Sequence, residues 1–325
     1  MKINQLTNKQ QMSTASVEIL RASEEQLLTT QQIVMAEPVP ELPLKIVRFI
    51  FRNFGSIAPK ILGKLAFKLF TTPRNRQFQQ KRTAHPILQK AEKFYIPHQY
   101  KGVDDQLEGF LWGSADQPTV LMVHGWETGA WVFRRFVQVL QNQGFSVAAF
   151  NAPAHAYSSS KQTEIMDYGT AIYNTIQQLG NVTALVGHSF GADSSTFMLA
   201  DKPKIPNLKT FVSIGSPSSI VNVVARMADF LELPPKAVAA FNKVLLEKAG
   251  KPVEELSIAT AGRDLKVDNV MIVHDRYDEV VPFSDAEEIA KEWTQAHFLI
   301  TEGYGHNAIL KSPEVIQRVT QFLLQ

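Results

Sequence analysis

Gly187-His188-Ser189-Phe190-Gly191 is the stretch of this sequence best suited to covalent chemistry. It has the form Gly-x-Ser-x-Gly, in which two glycines let a strand turn sharply into a helix and present the serine oxygen outward. A serine hydroxyl is a weak nucleophile until a neighbouring base takes its proton and a third group orients that base. The pattern alone is weak, because at average glycine and serine usage it arises by chance in roughly one chain in ten of this length. Its flanks decide the matter. Val182-Thr183-Ala184-Leu185-Val186 reads as a buried strand and Ala192 to Ala200 as a helix, which is the setting such a turn requires.

The elements that must hold this turn follow the same alternation from about residue 93 onward. Short β-rich runs separated by helical stretches predict an α/β domain, with a mostly parallel twisted sheet flanked by helices. Lys93 to His98 and Leu107 to Gly113 are expected to open it as an antiparallel pair. Pro118 to His124, Phe145 to Asn151, Val182 to Gly187, Leu208 to Ile214, Val270 to His274 and Phe298 to Thr301 are the further strands. Helices are expected over Trp131 to Gln143, Thr163 to Leu179, Ala286 to Gln295 and Pro313 to Leu324. Between Pro217 and Val267 the β pattern stops and helical segments appear, broken at Pro234-Pro235 and at Gly250 to Pro252. A small helical lid, about 217–267, is therefore expected after the sixth strand.

From about residue 93 to the C-terminus the sequence resembles the α/β-hydrolase family, and the chain order Ser, Asp, His agrees with that fold. The resemblance implies a catalytic triad of Ser189, Asp278 and His306. Asp278 stands ahead of Val280-Val281-Pro282 in a segment similar to the family's acid loop. Asp275, three residues closer to the strand, is its rival and is expected to structure the loop or lie at the surface. His306, in Gly303-Tyr304-Gly305-His306-Asn307, falls between the final strand and the last helix, where the family places its base. His297 is expected only to pack. Val123-His124-Gly125-Trp126 resembles the family's His-Gly loop, which implies that the backbone N–H groups of Trp126 and Phe190 form the oxyanion hole. His124 and His188 are expected to be structural. Asn151-Ala152-Pro153-Ala154-His155-Ala156-Tyr157-Ser158 resembles the family's Asp-x-Pro-Gly-His-Gly-x-Ser turn, with Asn for Asp and alanines for both glycines. Those alanines are expected to restrict the loop.

The activity implied is that of a serine hydrolase, cleaving a carboxylic ester or related acyl compound through an acyl-enzyme on Ser189. Thioesterase, peptidase and acyltransferase chemistry, or a non-catalytic binding protein on the same fold, are the alternatives. The expected partner is a small acyl substrate. Val221, Val224, Met227, Phe230, Leu231, Val238 and Phe241 offer an apolar set in the lid that would suit an apolar acyl group, unless they simply pack on the body. No cofactor and no metal are expected, since the eight histidines show no paired ligand spacing.

Outside this resemblance, residues 1–40 are polar and read as a poorly ordered tail with one short helix. Residues 41–92 read as a basic amphipathic helical segment. Between Leu42 and Ala91 there are eleven Lys and Arg and no Asp or Glu, although the whole chain of 325 residues carries a net charge of only +2. Lys45, Arg48 and Arg52 share one helical stripe, and Lys60, Lys64 and Lys68 share another. Residues 42–70 are thus candidates for peripheral association with an anionic membrane, whereas no nucleic-acid motif is present. The absence of cysteine and of an N-terminal apolar run points to a cytoplasmic protein, with the membrane surface as an option.

Overall fold

A computed structural model describes residues 16–23, 40–114 and 116–325. Nine strands form one sheet: β1 (Ser16–Arg21), β2 (Glu92–Tyr100), β3 (Val103–Trp112), β4 (Thr119–Val123), β5 (Ser146–Phe150), β6 (Val182–His188), β7 (Thr210–Ile214), β8 (Asn269–Asp275) and β9 (His297–Glu302). Their order is β1-β9-β8-β7-β6-β4-β5-β3-β2. Only the β2–β3 and β3–β5 pairs are antiparallel. The central strands β4, β5 and β7 are buried along their whole length, as parallel strands covered on both faces must be.

Alternate residues of each central strand feed two cores. Leu121 and Val123 of β4 join the core that contains α5 (Ile165–Leu179), α6 (Phe190–Asp201) and α9 (Phe283–Glu292). Val120 and Met122 join the opposite core, with α4 (Arg134–Gln141) and α10 (Pro313–Leu323). These elements lie where the hydrophobic periodicity places them. The expected helix from Trp131 starts instead as a 3₁₀ turn over Ala130–Phe133 before α4.

Two features differ from the sequence reading. Part of the expected poorly ordered tail, Ser16–Arg21, is the edge strand β1, paired in parallel with β9. Its outward Val17 and Ile19 are exposed, so it lacks the buried apolar run that marks the central strands. The remainder of that segment, with its expected short helix, lies outside the described residues except for 22, 23 and 40. The added strand also means that the helical insertion follows the seventh strand rather than the sixth.

The basic segment forms α1 (Glu41–Phe54), α2 (Pro59–Thr71) and α3 (Arg76–Thr83). The insertion supplies α7 (Ile220–Leu231) and α8 (Pro235–Ala249). The two groups form one cap. Phe241 of α8 meets the rings of Phe67 and Phe70 on α2 at 5.8 and 5.5 Å. Arg48 of α1 donates from Nε to the Phe230 carbonyl at 2.7 Å and lies over the Phe230 ring. Of the apolar lid residues, Val224, Leu231 and Phe241 are buried, Met227 and Val238 pack half-buried on the core, and Val221 and Phe230 are exposed. Most of that set therefore holds the cap together.

Helices α2 and α8 come close together at Gly63, where a Cβ would lie 2.7 Å from Ala240 Cβ and 2.8 Å from the Phe241 backbone nitrogen. Backbone cannot yield as a flexible side-chain tip does, so Gly63→Val is expected to force α2 off α8 and cost about 2 kcal/mol. A lowered denaturation midpoint and faster proteolysis within residues 41–71 are the expected readouts. Unchanged values for both would mean that the two helices do not meet at this glycine.

Candidate active site

Ser189 stands between β6 and α6 with φ 52° and ψ −124°, a backbone conformation that costs a non-glycine residue about 1–3 kcal/mol. The surroundings fix it. Its N–H donates to the Ile214 carbonyl of β7 at 2.8 Å, and its carbonyl accepts from Ala192 and Asp193 at 2.8 and 3.1 Å. The flanking glycines are required by close approach: a Cβ on Gly187 would lie 2.6 Å from Ala192 Cα, and one on Gly191 would lie 2.4 Å from the Val123 carbonyl oxygen. Ser189 itself is half-buried.

The structure brings Asp278 and His306 together, with Nδ1–H of His306 donating to Asp278 Oδ2 at 2.7 Å. The carboxylate as acceptor fixes that tautomer and leaves Nε2 free to accept a proton. Asp278 Oδ1 accepts from the N–H groups of Val280 and Val281 at 2.8 and 2.7 Å. Burial alone would raise the pKa of Asp278. The hydrogen bond and charge of His306, the nearby His274 and the Val281 N–H outweigh that and hold it below the usual carboxylate value.

Asp275 has a different environment. It is fully buried at the end of β8 and accepts from Thr301 Oγ1 at 2.7 Å and from the backbone N–H groups of Tyr304, Tyr277 and Gly303 at 2.9, 3.0 and 3.3 Å. These bonds tie β8 to the turn that precedes His306. The loop-structuring expectation for Asp275 thus describes its contacts.

Ser189 and His306 are linked through their neighbours. His188 donates from Nε2 to the His306 carbonyl at 2.9 Å, and the two rings lie 4.7 Å apart. Burial, reinforced by His306, pushes the His188 pKa down to about 3, so it is a neutral strut. At Gly215, next to the carbonyl that receives the Ser189 N–H, a Cβ would lie 3.3 Å from the His306 ring.

The His-Gly loop after β4 rests against the elbow, since a Cβ on Gly125 would lie 3.1 Å from Ser189 Cβ. The rings of Trp126 and Phe190, whose amides are the sequence-predicted oxyanion donors, touch edge to face at 5.2 Å. His124 donates from Nδ1 to the Gly125 carbonyl at 2.8 Å and accepts at Nε2 from Ala152 N–H at 2.9 Å. Burial drives its pKa well below normal, so it stays neutral. His297 accepts a contact from Ser16 Oγ at 2.5 Å and packs on Phe322, away from this cluster.

Sequence reasoning did not find three contributors. Tyr168 of α5, fully buried, donates from its hydroxyl to the His124 carbonyl at 3.1 Å and lies against Phe190. Arg74 makes a two-pronged bond to Glu127, both contacts at 2.7 Å, and so clamps the loop beyond Trp126. Asp285 accepts from Ser218, Asn222 and Arg226 and anchors the start of the lid. Only folding brings these pairs together, and no local motif marks them. Among the described residues no group of three or more His, Asp or Glu side chains converges as a metal site.

Ala154 and Ala156 occupy the two glycine positions of the 151–158 turn and adopt φ 64° and 45°. The loop keeps its shape because others hold it. Ala154 N–H donates to Ser158 Oγ at 2.8 Å, Ala156 N–H donates to Gln79 at 2.9 Å, and Arg76 reaches the carbonyls of Ser158 and Ser160. Beneath them Asp105 accepts from Ser158, Ser159 and Ser160. Burial works against the Asp105 charge, but these serine bonds hold its pKa down to about 2.

A depressed carboxylate pKa stabilises the fold above its unfolded value near 4, and that contribution is lost as pH falls towards 2. Asp105→Asn is therefore expected to cost roughly 1–2 kcal/mol at pH 7. It should also flatten the stability decline between pH 4 and pH 2 in chemical denaturation. A parallel decline in both proteins would show that Asp105 contributes nothing through its charge.

Residues 118–248 match the family model described as alpha/beta hydrolase fold, and residues 247–325 match one described as TAP-like protein. No curated protein matches the sequence. Among solved structures, an esterase from Pyrococcus furiosus is 20% identical, covering 72% of this chain and 92% of its own with a TM-score of 0.55. The thioesterase domain from the curacin biosynthetic pathway is 19% identical, covering 72% and 99% with a TM-score of 0.52. A membrane phospholipase A described as a bacterial virulence factor is 16% identical, covering 87% and 96% with a TM-score of 0.54. At these identities the likeness lies in the fold.

Proposed function

The chain belongs to the α/β-hydrolase fold family, and we propose that within it this protein is a serine hydrolase cleaving a carboxylic ester or related acyl compound. The observation that supports this reading is the Asp278–His306 hydrogen bond beside the strained Ser189 turn, with the His-Gly loop packed against the same turn. In the reaction proposed, His306 Nε2 takes the Ser189 hydroxyl proton as Oγ attacks the acyl carbonyl. The carbonyl π electrons move to the oxygen, where the Trp126 and Phe190 N–H groups receive the negative charge. Asp278 keeps Nδ1 protonated and stabilises the imidazolium. Collapse of the tetrahedral adduct breaks the C–O bond, and His306 gives its proton to the departing alkoxide. Water repeats the sequence on the acyl-enzyme and restores Ser189.

An oxygen ester is the default substrate because its alkoxide leaves more readily than an amine, and a thioester would react by the same steps. The neutral struts His188 and His124 suit this scheme. Neither competes with His306 for the proton, and both hold backbone that the reacting groups depend on.

Turnover of p-nitrophenyl esters of increasing chain length, with fluorophosphonate labelling, tests the reading. Ser189→Ala is expected to abolish labelling and lower turnover by at least about 10⁴-fold, and Asp278→Asn by about 10⁴-fold through loss of the correct tautomer. A folded wild type that neither labels nor turns over any ester or thioester would refute it. Tyr168→Phe removes one hydrogen bond from the His-Gly loop, so a loss of roughly 1 kcal/mol, about fivefold in kcat with KM little changed, is expected. Wild-type kcat in that variant would show that the hydroxyl does not steady the loop.

A further inference from the structure

The outer face of α1 and α2 carries large apolar side chains that nothing in the described structure covers. Among the described residues, eleven of the nineteen exposed large hydrophobic side chains lie in the cap, eight of them within residues 42–69. Leu42, Ile46 and Phe49 follow one another at helical spacing on α1, and Ile61, Leu65 and Leu69 do so on α2. Ile57, in the turn between the helices, is 76% exposed, and Ile61 is 70% exposed. The residues that seat the helices are others, Phe51, Leu62, Ala66 and Phe67, which are buried in the core. Each helix thus carries exposed apolar side chains beyond those that pack on the body.

The charges indicate what the exposed stripe meets. Lys60, Lys64 and Lys68 run beside Ile61, Leu65 and Leu69, are all exposed, and have no acidic partner at ion-pair distance among the described residues. Arg48 and Arg52 are partly engaged with Glu232 of the cap and Lys45 with Glu41, so the unpaired charge is concentrated on α2. No Asp or Glu occurs between Leu42 and Ala91 to oppose an anionic surface. No helix among the described residues is long and apolar enough to cross a membrane. An exposed apolar stripe flanked by lysines, on helices anchored by their other, buried apolar residues, has the form of an element that lies in the interface plane.

We propose that α1 and α2 dock the protein on an anionic phospholipid surface, with Ile57, Ile61 and Leu65 entering the headgroup boundary and Lys60, Lys64 and Lys68 facing the lipid phosphates. Because α2 packs on α8 and α1 tethers α7, docking holds the inserted lid helices at the same surface. The inference stands apart from the chemistry at Ser189, and the Ser189→Ala protein is expected to bind as the wild type does.

The test is co-flotation of the full chain with vesicles of phosphatidylcholine alone and with about one part in four phosphatidylglycerol. Anionic vesicles are expected to capture the protein at least about tenfold better, and raising salt from about 0.1 to 0.5 M should erase most of that difference. The triple change Lys60→Gln, Lys64→Gln, Lys68→Gln and the double change Ile61→Ser, Leu65→Ser are each expected to weaken capture at least about tenfold. Melting temperature and turnover of a soluble ester should be kept in both, since the altered side chains point to solvent. Failure of the wild type to float with anionic vesicles would overturn the proposal, as would equal capture of either variant. A wild-type dimer by light scattering that the double change converts to monomer would also overturn it, assigning the stripe to a second copy of the chain.

Discussion

Everything at the candidate site depends on one unfavourable backbone conformation, that of Ser189. A residue with φ near +50° and ψ near −124° does not hold that shape unaided, and here the sheet, the following helix and the neighbouring loop all help to enforce it. The Ser189 N–H is bound by β7 and its carbonyl by the first turn of α6, while Gly191 lets the carbonyls of Val123 and His124 come within about 2.5 Å of where a side chain would be. The same close approach puts Gly125 against Ser189 Cβ, so the elbow and the His-Gly loop fix each other. Strain at the serine and placement of the adjoining amides therefore have a common origin in the spacing of β4, β6 and β7.

Charge is divided in a way that protects this arrangement. Asp275 and Asp278 lie three residues apart, yet one satisfies four donors within the protein scaffold and the other offers an oxygen to a single imidazole. The buried histidines divide in the same manner. His124 and His188 each spend a ring N–H on a carbonyl and are kept neutral by burial, which leaves one imidazole, that of His306, paired with a carboxylate beside the serine. One scaffolding carboxylate and two scaffolding imidazoles thus accompany the Asp278–His306 pair, in the manner of a pre-organised site.

The fold was largely legible because its central strands are uninterrupted apolar runs and its helices are strongly periodic. The elbow was legible because its steric demands leave a glycine signature. Asp278 and His306 were singled out by the resemblance to the α/β-hydrolase family, through their order and their position after particular strands, and the fold joins the two by a hydrogen bond. What escaped notice had no local signature. β1 is an exposed edge strand of mixed polar and apolar residues in an otherwise polar stretch, and its pairing with β9 is a contact between residues some 280 positions apart. Tyr168, Arg74 and Asp285 act through partners that only the fold brings near. The lid's apolar residues were visible, but whether they line a pocket or seat the cap depends on α2, which the pattern of either segment alone does not reveal.

The turn at residues 151–158 shows how far tertiary bonding overrides a local rule. Alanine at positions 154 and 156 argues against positive φ, since each left-handed alanine costs about 1 kcal/mol or more relative to glycine. Both alanines nonetheless take that conformation. The cost is offset from below by Asp105, with its three serines, and from the side by Arg76, Gln79 and Gln80 of the basic segment. The N-terminal helices are thus more than an appendage to the hydrolase domain. The α3 residues that hold this turn follow closely in the chain on the helix that packs against the lid, so one stretch of chain supports both.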